Sequence, residues 1–316
     1  MDQKILLVGA GKMAIEYAKV LKAQNVPFEV IGRGEASASE FEKQIGVSVI
    51  RGGLEAVKTE TLRGKKAIVA VSVEALAKTT TALMEAQVSD ILLEKPAGLN
   101  AKEVGEVAKA AHLGGARLSV AYNRRFYAST QKARELIAED GGALSFVFEF
   151  TEWAHVIEPL PLSKETKENW LLANSSHVID LAFFLGGKPK EIEARTSKSG
   201  ALPWHPRAAI YSGSGISETG ALFSYNANWL SAGRWGVEIL TKNRRLILRP
   251  LEKLFEQKKG EIEIKEILLD DELDKKFKPG VYREVEEFLS GKKGFLPTVK
   301  EQASFATLVE KIGQCE

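Results

Sequence analysis

The sequence predicts an α/β fold in which a doubly wound parallel sheet is followed by a second α+β domain built on a mostly antiparallel open sheet. Short apolar runs alternate with amphipathic stretches in the first part of the chain, and strand-like runs joined by polar turns dominate the later part. The length of 316 residues exceeds that of a typical single domain. We therefore predict domains over 1–121 and 122–296, with a helix over 297–316 that packs back on the first domain.

The first domain is predicted from strands that are each followed by a helical pattern. The strands are apolar runs at 4–8, 28–31, 67–71, 90–94 and 117–122. The helical patterns run through Leu21, around 39–44, over 73–86 and over 101–111. Apolar strands that alternate with helices indicate a parallel sheet that is covered on both faces.

The second domain is predicted from a change of pattern after Tyr122. A helix over 127–139 ends at Gly141 and Gly142, and strand-like runs follow it at 144–153, 191–198, 208–215, 219–229, 235–241 and 244–250. The short polar segment 241–243 predicts an antiparallel hairpin between the last two runs. The stretch 299–312 is helical again.

Composition excludes several classes of function. The 44 Lys and Arg residues against 42 Asp and Glu give a net charge of +2, which provides no field for binding nucleic acid or an anionic membrane. The single cysteine, Cys315, cannot form an internal disulfide, and no cluster of thiols suggests a metal site. With no apolar run of membrane-spanning length and no secretion leader, we expect a cytoplasmic protein that acts on a small molecule.

A glycine-rich turn follows the first strand. The segment VGAGKMA at 8–14 places Gly9, Gly11 and Ala14 in a G-x-G-x-x-G/A pattern that opens the first helix. In that context the glycines allow a tight turn and close approach of the backbone to a pyrophosphate, which lies at the helix N-terminus. We predict that Gly9 and Gly11 bind a dinucleotide together with Lys12 and Met13 in the turn. Ser72, after the run at 67–71, and Glu94, at the end of the run at 90–94, are further predicted cofactor-binding residues.

Arg33 stands where dinucleotide-binding sequences usually carry an acid that binds the ribose of NAD. This favours NADP, with NAD as the alternative, because a guanidinium can hold a 2′-phosphate; Ser37 or Ser39 are further candidate donors. The competing interpretation is that Arg33 is a solvated loop charge and that Glu35 reads the ribose.

The run ILLEKPA at 91–97 ends abruptly at Glu94, Lys95 and Pro96, which we call the EKP element. In a doubly wound sheet, ligands bind outside the carboxyl ends of the strands. Lys95 lies just past such an end, so we expect its ammonium to face the cofactor cleft. The alternative is a strand end that simply reaches solvent.

Four segments together resemble the Gfo/Idh/MocA oxidoreductase family: VGAGKMA, LLEKPAG, AYNRRF and HVIDLAFFLGG, spread over the first 190 or so residues. The resemblance implies a Rossmann domain that binds a nicotinamide cofactor, and a second domain whose open sheet forms a homodimer or homotetramer. It also implies chemistry at a carbinol or carbonyl carbon of sugars or related compounds. Lys95 corresponds to the active-site lysine of that family, and Glu94 would steady it.

His177 is the second catalytic candidate that the resemblance implies. The family often has an aspartate four residues earlier, where this chain has Ala173, followed by Asn174. Asp180 lies on the same helical face as His177. The alternative for His177 is a buried structural histidine.

Further substrate candidates come from the same segments. Asn174, Asp180, Arg124 and Arg125 are predicted to contact substrate, although Arg124 and Arg125 have the alternative of pairing with acidic groups across the domain interface. Aromatic side chains of the second domain are candidates for stacking on a sugar, with core packing as the alternative: Trp153, His155, Trp170, Trp204, His205, Tyr225 and Trp229.

We therefore predict an NAD(P)-dependent oxidoreductase of carbohydrate metabolism that acts on a sugar, nucleotide sugar or related carbonyl or alcohol. Because the usual aspartate is absent at Ala173, two alternatives stay open. One is reduction of an imine, and the other is a non-catalytic dinucleotide sensor that binds a partner protein.

Overall fold

The structure, a computed structural model, describes residues 4–313, so Cys315 and the end of the predicted terminal helix lie outside the described residues. The strands are β1 (Ile5–Val8), β2 (Phe28–Ile31), β3 (Val49–Ile50), β4 (Lys66–Val69), β5 (Asp90–Glu94), β6 (Arg117–Ala121), β7 (Ser145–Glu149), β8 (Pro189–Ser197), β9 (Ile210–Ser217), β10 (Leu222–Asn228), β11 (Gly236–Leu240), β12 (Arg244–Leu248), β13 (Phe255–Lys258) and β14 (Lys265–Glu266). The helices are α1 (Lys12–Ala23), α2 (Glu35–Ile45), α3 (Val73–Glu85), α4 (Ala101–Gly114), α5 (Ala128–Glu139), α6 (Ala154–Ile157), α7 (Lys164–Glu168), α8 (Ser176–Gly186), α9 (Glu272–Lys276), α10 (Val281–Ser290) and α11 (Val299–Gly313).

The chain divides into two compact units. The first unit contains Met1–Asn123 and Leu273–Ala306, and the second contains Arg124–Glu272 and Thr307–Glu316. The sequence analysis assigned 273–296 to the second domain, whereas the structure groups this segment with the first unit. The physical reason is α10, whose residues Val281, Val285 and Phe288 are fully buried in the same hydrophobic cluster as α1.

The first unit is built on a six-stranded parallel sheet in the order β3-β2-β1-β4-β5-β6. This confirms the predicted doubly wound α/β fold. The strand β3 was missed because two residues are too short to form a pattern. The order reverses direction between β1 and β4, and in such sheets ligands bind at this switch point, outside the carboxyl ends of the strands.

The second unit is built on an eight-stranded sheet in the order β14-β13-β12-β11-β7-β10-β9-β8. The pair β7 and β10 is parallel and the other pairs are antiparallel. This confirms the predicted α+β domain with a mostly antiparallel open sheet, including the hairpin between β11 and β12. The strands β13 and β14 were missed because their charged residues do not alternate with apolar ones.

One face of the second sheet is covered by α8. Phe183 of α8 makes edge contacts with Phe146, Phe148 and Phe223 of the sheet at centroid distances of 5.2 to 5.9 Å. Such pairs contribute roughly 0.5–1.5 kcal/mol each beyond their buried area. Along β10, buried and exposed residues alternate, so the other face carries exposed side chains such as Leu222.

Residues 4–313 lack two features that would indicate other classes of function. No helix in this range is both long and apolar enough to cross a lipid bilayer. Within the same range, no three His, Cys, Asp or Glu side chains are grouped in a way that would bind a metal ion.

Candidate functional site

The glycine turn connects β1 to α1 at the carboxyl edge of the first sheet. Gly9 has a φ of +117°, which residues with a side chain rarely adopt. A Cβ there would lie 2.2 Å from the carbonyl oxygen of Ala70. Glycine is therefore required at this position both by the backbone conformation and by the approach of β4. Ala14 is fully buried, as the third position of the pattern demands.

The N-terminus of α1 fits a dinucleotide phosphate. Gly11 is the N-cap residue, and a Cβ placed on it would meet no atom within 4 Å, so open space lies beside the first turn of the helix. No side chain caps this end and no acidic residue lies in its first turn. Its backbone N–H groups and the positive end of the helix dipole thus face that space without a competing anion. Lys12 is exposed and Met13 is half-buried in the same turn.

Arg33 lies in the loop after β2, at the same edge of the sheet, and is exposed. Its predicted rival, Glu35, is bound elsewhere: Oε2 of Glu35 accepts a hydrogen bond from Nε of Arg51 at 2.8 Å. This bond lowers the pKa of the Glu35 carboxyl, which therefore stays ionised and paired. The sequence analysis missed Arg51, which follows β3 and so brings a second guanidinium to this edge.

The two serines near Arg33 use their hydroxyl hydrogens locally. Ser37 donates to the backbone oxygen of Gly34 at 3.0 Å, and Ser39 donates to Glu35 at 3.1 Å. Ser72, another predicted cofactor residue, is exposed and is the N-cap residue of α3, after β4. Gly9, Arg33 and Ser72 therefore follow three parallel strands at one edge of the sheet, as predicted.

The EKP element follows β5 at that edge and is held in a defined turn. The backbone N–H of Ala97 donates to the oxygen of Glu94 at 3.1 Å, and Ala97 has a φ of +76°. Non-glycine residues rarely adopt this conformation, so the surroundings hold it in place. Part of that support comes from Gln302, which is buried and donates to the oxygen of Pro96 at 2.9 Å. Lys95, half-buried, projects from this turn.

The carboxyl group of Glu94 is hydrogen-bonded to a buried side chain. Tyr17 of α1 donates to Oε1 of Glu94 at 2.7 Å. Burial raises the pKa of Glu94, whereas the hydrogen bond from Tyr17 and the positive charge of Lys95 act in the opposite direction. Tyr17 could not be predicted, because a tyrosine at an inward position of an amphipathic helix resembles an ordinary core residue.

In the second unit, His177 lies in the first turn of α8 and is buried. Its ring centroid is 6.2 Å from that of Trp235. Two guanidiniums also lie over Trp235, with Arg124 at 4.9 Å and Arg234 at 5.1 Å from the ring centroid. Arg234 lies 4.6 Å from the ring of the exposed Trp153 as well. Trp235 therefore lies next to His177 and next to two guanidinium groups. Of these two arginines, only Arg124 was predicted.

A π-helical turn, Leu171–Ser175, precedes α8, and such turns are frequent at functional sites. Asn174 in this turn donates to Oε1 of Glu152 at 2.9 Å, and Ser175 donates to the same oxygen at 2.7 Å. Burial raises the pKa of Glu152, and these two hydrogen bonds oppose that effect. Ala173 is buried in the same turn, and the acid bound to this turn is Glu152, which was not predicted.

Arg125 and Asp180, both predicted to contact substrate, bind each other. The guanidinium Nε of Arg125 donates to Oδ2 of Asp180 at 2.8 Å, and a second nitrogen donates to Oδ1 at 2.5 Å. This two-point ion pair fixes the start of the second unit to α8. Pairing with an acid was the alternative interpretation for Arg125, and the structure shows it within one unit rather than across the domain interface.

Comparisons with known proteins agree with this geometry. Residues 3–122 match the model of an oxidoreductase family with an NAD-binding Rossmann fold, Gfo/Idh/MocA. A sequence search of curated proteins found no match.

Solved structures share the fold of both units. UDP-N-acetylglucosamine 3-dehydrogenase GnnA from Acidithiobacillus ferrooxidans is 14% identical, with a TM-score of 0.74 over 99% of this chain and 97% of that chain. An oxidoreductase from Agrobacterium radiobacter in complex with NAD⁺, L-tartaric acid and magnesium is 15% identical, with a TM-score of 0.78 over 98% and 95%. Levoglucosan dehydrogenase in complex with NADH and levoglucosan is 16% identical, with a TM-score of 0.76 over 99% and 96%.

At these identities the likeness to solved structures establishes the fold alone. The predicted resemblance to the Gfo/Idh/MocA family is confirmed over residues 3–122, which include VGAGKMA and LLEKPAG. In this part of the chain the protein is similar to oxidoreductases with an NAD-binding Rossmann fold.

Proposed function

We propose that this protein is an NADP-preferring oxidoreductase that acts on a carbonyl or alcohol group of a sugar or nucleotide sugar, with Lys95 as the residue that exchanges a proton with the substrate oxygen. The observation that carries this proposal is the position of Lys95. It follows β5 at the edge of the sheet where the glycine turn follows β1. The nicotinamide cofactor, when bound, supplies or accepts the hydride.

The role of Lys95 follows from its charge and its support. An ammonium donates a hydrogen bond to a carbonyl oxygen and stabilises the negative charge that develops there during reduction. The ordered turn from Glu94 to Ala97 holds the lysine backbone, and the Glu94 carboxyl lies close enough to interact with its charge. We assign His177, a residue of the second unit, as a second proton-transfer candidate.

The preference for NADP rests on Arg33 and Arg51. Arg33 makes no hydrogen bond or ion pair with the residues at 4–313, so its guanidinium is available to a 2′-phosphate. Glu35, which would accept from the 2′-hydroxyl of NAD and repel a phosphate, is held by Arg51. Both features favour binding of the 2′-phosphate of NADP, with NAD as the alternative cofactor.

A nucleotide sugar is favoured over a neutral sugar by the cations beside His177. The guanidinium of Arg234 forms no hydrogen bond or ion pair in the described part of the chain, and with Arg124 it frames Trp235. Two guanidiniums beside an aromatic face suit a diphosphate next to a base or sugar ring. UDP-N-acetylglucosamine, the substrate in the name of one structural neighbour, is therefore the first compound to test.

The experiment is cofactor reduction or oxidation with matched substrates. Purified protein is assayed with NADP⁺ and NAD⁺ against UDP-N-acetylglucosamine and levoglucosan, and with NADPH against keto-sugars and a cyclic imine. We expect turnover with a sugar substrate, faster with NADP(H), that is lost in Lys95→Met and retained in Lys43→Met, an exposed lysine on α2. Turnover with the imine alone would support an imine reductase, and cofactor binding without any turnover would support a sensor.

A further inference from the structure

A buried chain of three side chains lies behind the EKP element. Tyr17 is fully buried in α1, and its hydroxyl oxygen is 2.7 Å from Oε1 of Glu94 and 3.3 Å from Oε2 of Glu284. Glu284, in the first turn of α10, is itself fully inaccessible to solvent. A tyrosine hydroxyl is thus placed between two carboxyl groups inside the first unit.

The single hydrogen of the Tyr17 hydroxyl determines which of the two carboxyl groups must carry a proton. A tyrosine hydroxyl has one hydrogen to donate, and ionised carboxylates only accept. The hydrogen belongs to the shorter contact, with Glu94, so the contact with Glu284 is a hydrogen bond only if Glu284 is protonated and donates. The second oxygen, Oε1 of Glu284, is buried and has no hydrogen-bond partner among the described residues, which is far less costly for a neutral acid than for a carboxylate.

The charges around the two carboxyl groups also favour a proton on Glu284 rather than on Glu94. Glu94 faces the positive charges of Lys95 and Lys278, which favour its ionised form. Glu284 faces the negative charges of Glu94 and Glu287, which oppose its ionised form. Burial raises the pKa of Glu284 well above the usual range for a carboxyl group, and Glu94 raises it further.

We propose that Tyr17 and Glu284 are positioning residues for Lys95: protonated Glu284 donates to Tyr17, Tyr17 donates to Glu94, and this chain keeps Glu94 ionised and fixed beside the ammonium group of Lys95. The inference rests on the proposed function for the role of Lys95, but the location of the proton on Glu284 does not. Tyr17 of α1 and Glu284 of α10 are both fully buried, so the contact between them lies inside the first unit.

The matched variants are Tyr17→Phe and Glu284→Gln. Tyr17→Phe removes the donor to Glu94, so the pKa of Glu94 rises. We expect kcat to fall about tenfold, because this corresponds to the free energy of one hydrogen bond to a charged group. Cofactor affinity should be unchanged. The acid limb of the pH–rate profile should move upward by about one pH unit. The second variant replaces a protonated acid by an amide that still donates to Tyr17, so we expect kcat within about twofold of wild type.

A double-variant comparison separates positioning from general damage. If Tyr17 acts through Glu94 and Lys95, Tyr17→Phe should have no further effect on residual turnover in a Lys95→Met background. An unchanged rate and pH profile in Tyr17→Phe would overturn the inference, and so would a loss in Glu284→Gln as large as that in Tyr17→Phe.

A stability measurement tests the proton on Glu284 without any activity. Because the pKa of Glu284 is raised in the folded state, its contribution to stability is fully present below the unfolded value of about 4.3 and is lost as the pH rises through the folded pKa. Glu284→Gln should remove this loss, so the variant should gain stability relative to wild type as the pH is raised above about 5 in denaturant titrations. Parallel pH dependences would place the proton elsewhere. This readout decides the inference even if Tyr17→Phe fails to fold or if the wild type turns over no substrate, in which case only the proposed function fails.

Discussion

Arg51, which follows β3, binds the carboxylate of Glu35, the first residue of α2, with 2.8 Å between Nε of Arg51 and Oε2 of Glu35. A second nitrogen of Arg51 binds Glu42 at 2.8 Å, so one guanidinium holds two acids of α2. Glu35, the acid that was the rival candidate for binding the ribose of NAD, is thereby occupied. We therefore expect the cofactor preference to depend on Arg33.

We expect Arg33→Ala to weaken NADP(H) binding by about ten- to a hundredfold and to leave NAD(H) binding nearly unchanged, because a charge-assisted hydrogen bond to the 2′-phosphate is lost. Paired fluorescence titrations with both cofactors measure this. Arg63→Ala is the matched control, since Arg63 is an equally exposed charge that precedes β4 rather than following β2. Tighter NAD binding by the wild type, or equal preference in wild type and Arg33→Ala, would remove Arg33 from this role.

We expect Arg51→Ala to shift the preference toward NAD, because the released Glu35 can accept from the 2′-hydroxyl and repel a phosphate. The same titrations check it, with the double variant Arg51→Ala/Glu35→Gln as control. The double variant should recover part of the NADP preference. If it behaves like Arg51→Ala alone, Arg51 acts directly on the phosphate rather than through Glu35.

The sequence predicted the elements whose local pattern and global position agree. The glycine turn, the apolar runs and the EKP element each have a short-range signature, and parallel strands must bring their carboxyl ends to one edge. The contacts of Arg51 and Tyr17 were not predictable in this way. Each depends on partners that are distant in sequence or on the register of neighbouring strands, and Glu284 lies 267 positions from Tyr17.

We expect His177→Ala to reduce kcat less than Lys95→Met does, because Ala173 leaves the histidine without the acid that usually lies four residues earlier. Steady-state kinetics of the two variants, with circular dichroism to verify folding, give the ranking. Trp235→Phe, which keeps an aromatic ring beside His177, shows how far packing alone contributes. A folded His177→Ala that is the more impaired enzyme would reverse the assignment.

We expect the protein to lose stability in mild acid through His205. Burial lowers the pKa of His205 to about 4, and its ring lies between the oxygen of Lys167 and the hydroxyl of Tyr211. The stability from the neutral ring is fully present above the unfolded pKa of about 6.5 and is lost as the pH falls toward 4. The loss amounts to about 3 kcal/mol, measurable by urea unfolding at several pH values. His205→Gln should flatten this dependence, and an equal slope in both proteins would contradict it.

In the second unit, sequence patterns predict the sheet but not the contacts between side chains that are distant in sequence. Its sheet could be predicted because apolar and polar residues alternate along β10. The bonds of Glu152 could not, because this residue lies in a segment that resembles the end of an ordinary strand and reaches Asn174 and Ser175 only through the fold. Arg125 and Asp180 were recognised as important residues, but a motif does not say whether a charge meets a ligand or another side chain.

The most direct measurement follows a deuterium from the cofactor to the product. NADPH with deuterium at both C4 positions of the dihydronicotinamide is incubated with a keto-sugar nucleotide and either wild type or Lys95→Met, and the products are analysed by mass spectrometry. The account predicts one deuterium per product molecule with the wild type, and a rate lower by roughly 10² to 10⁴ in Lys95→Met with NADPH affinity nearly unchanged. Product without deuterium, or a Lys95→Met variant that turns over at the wild-type rate, would contradict it.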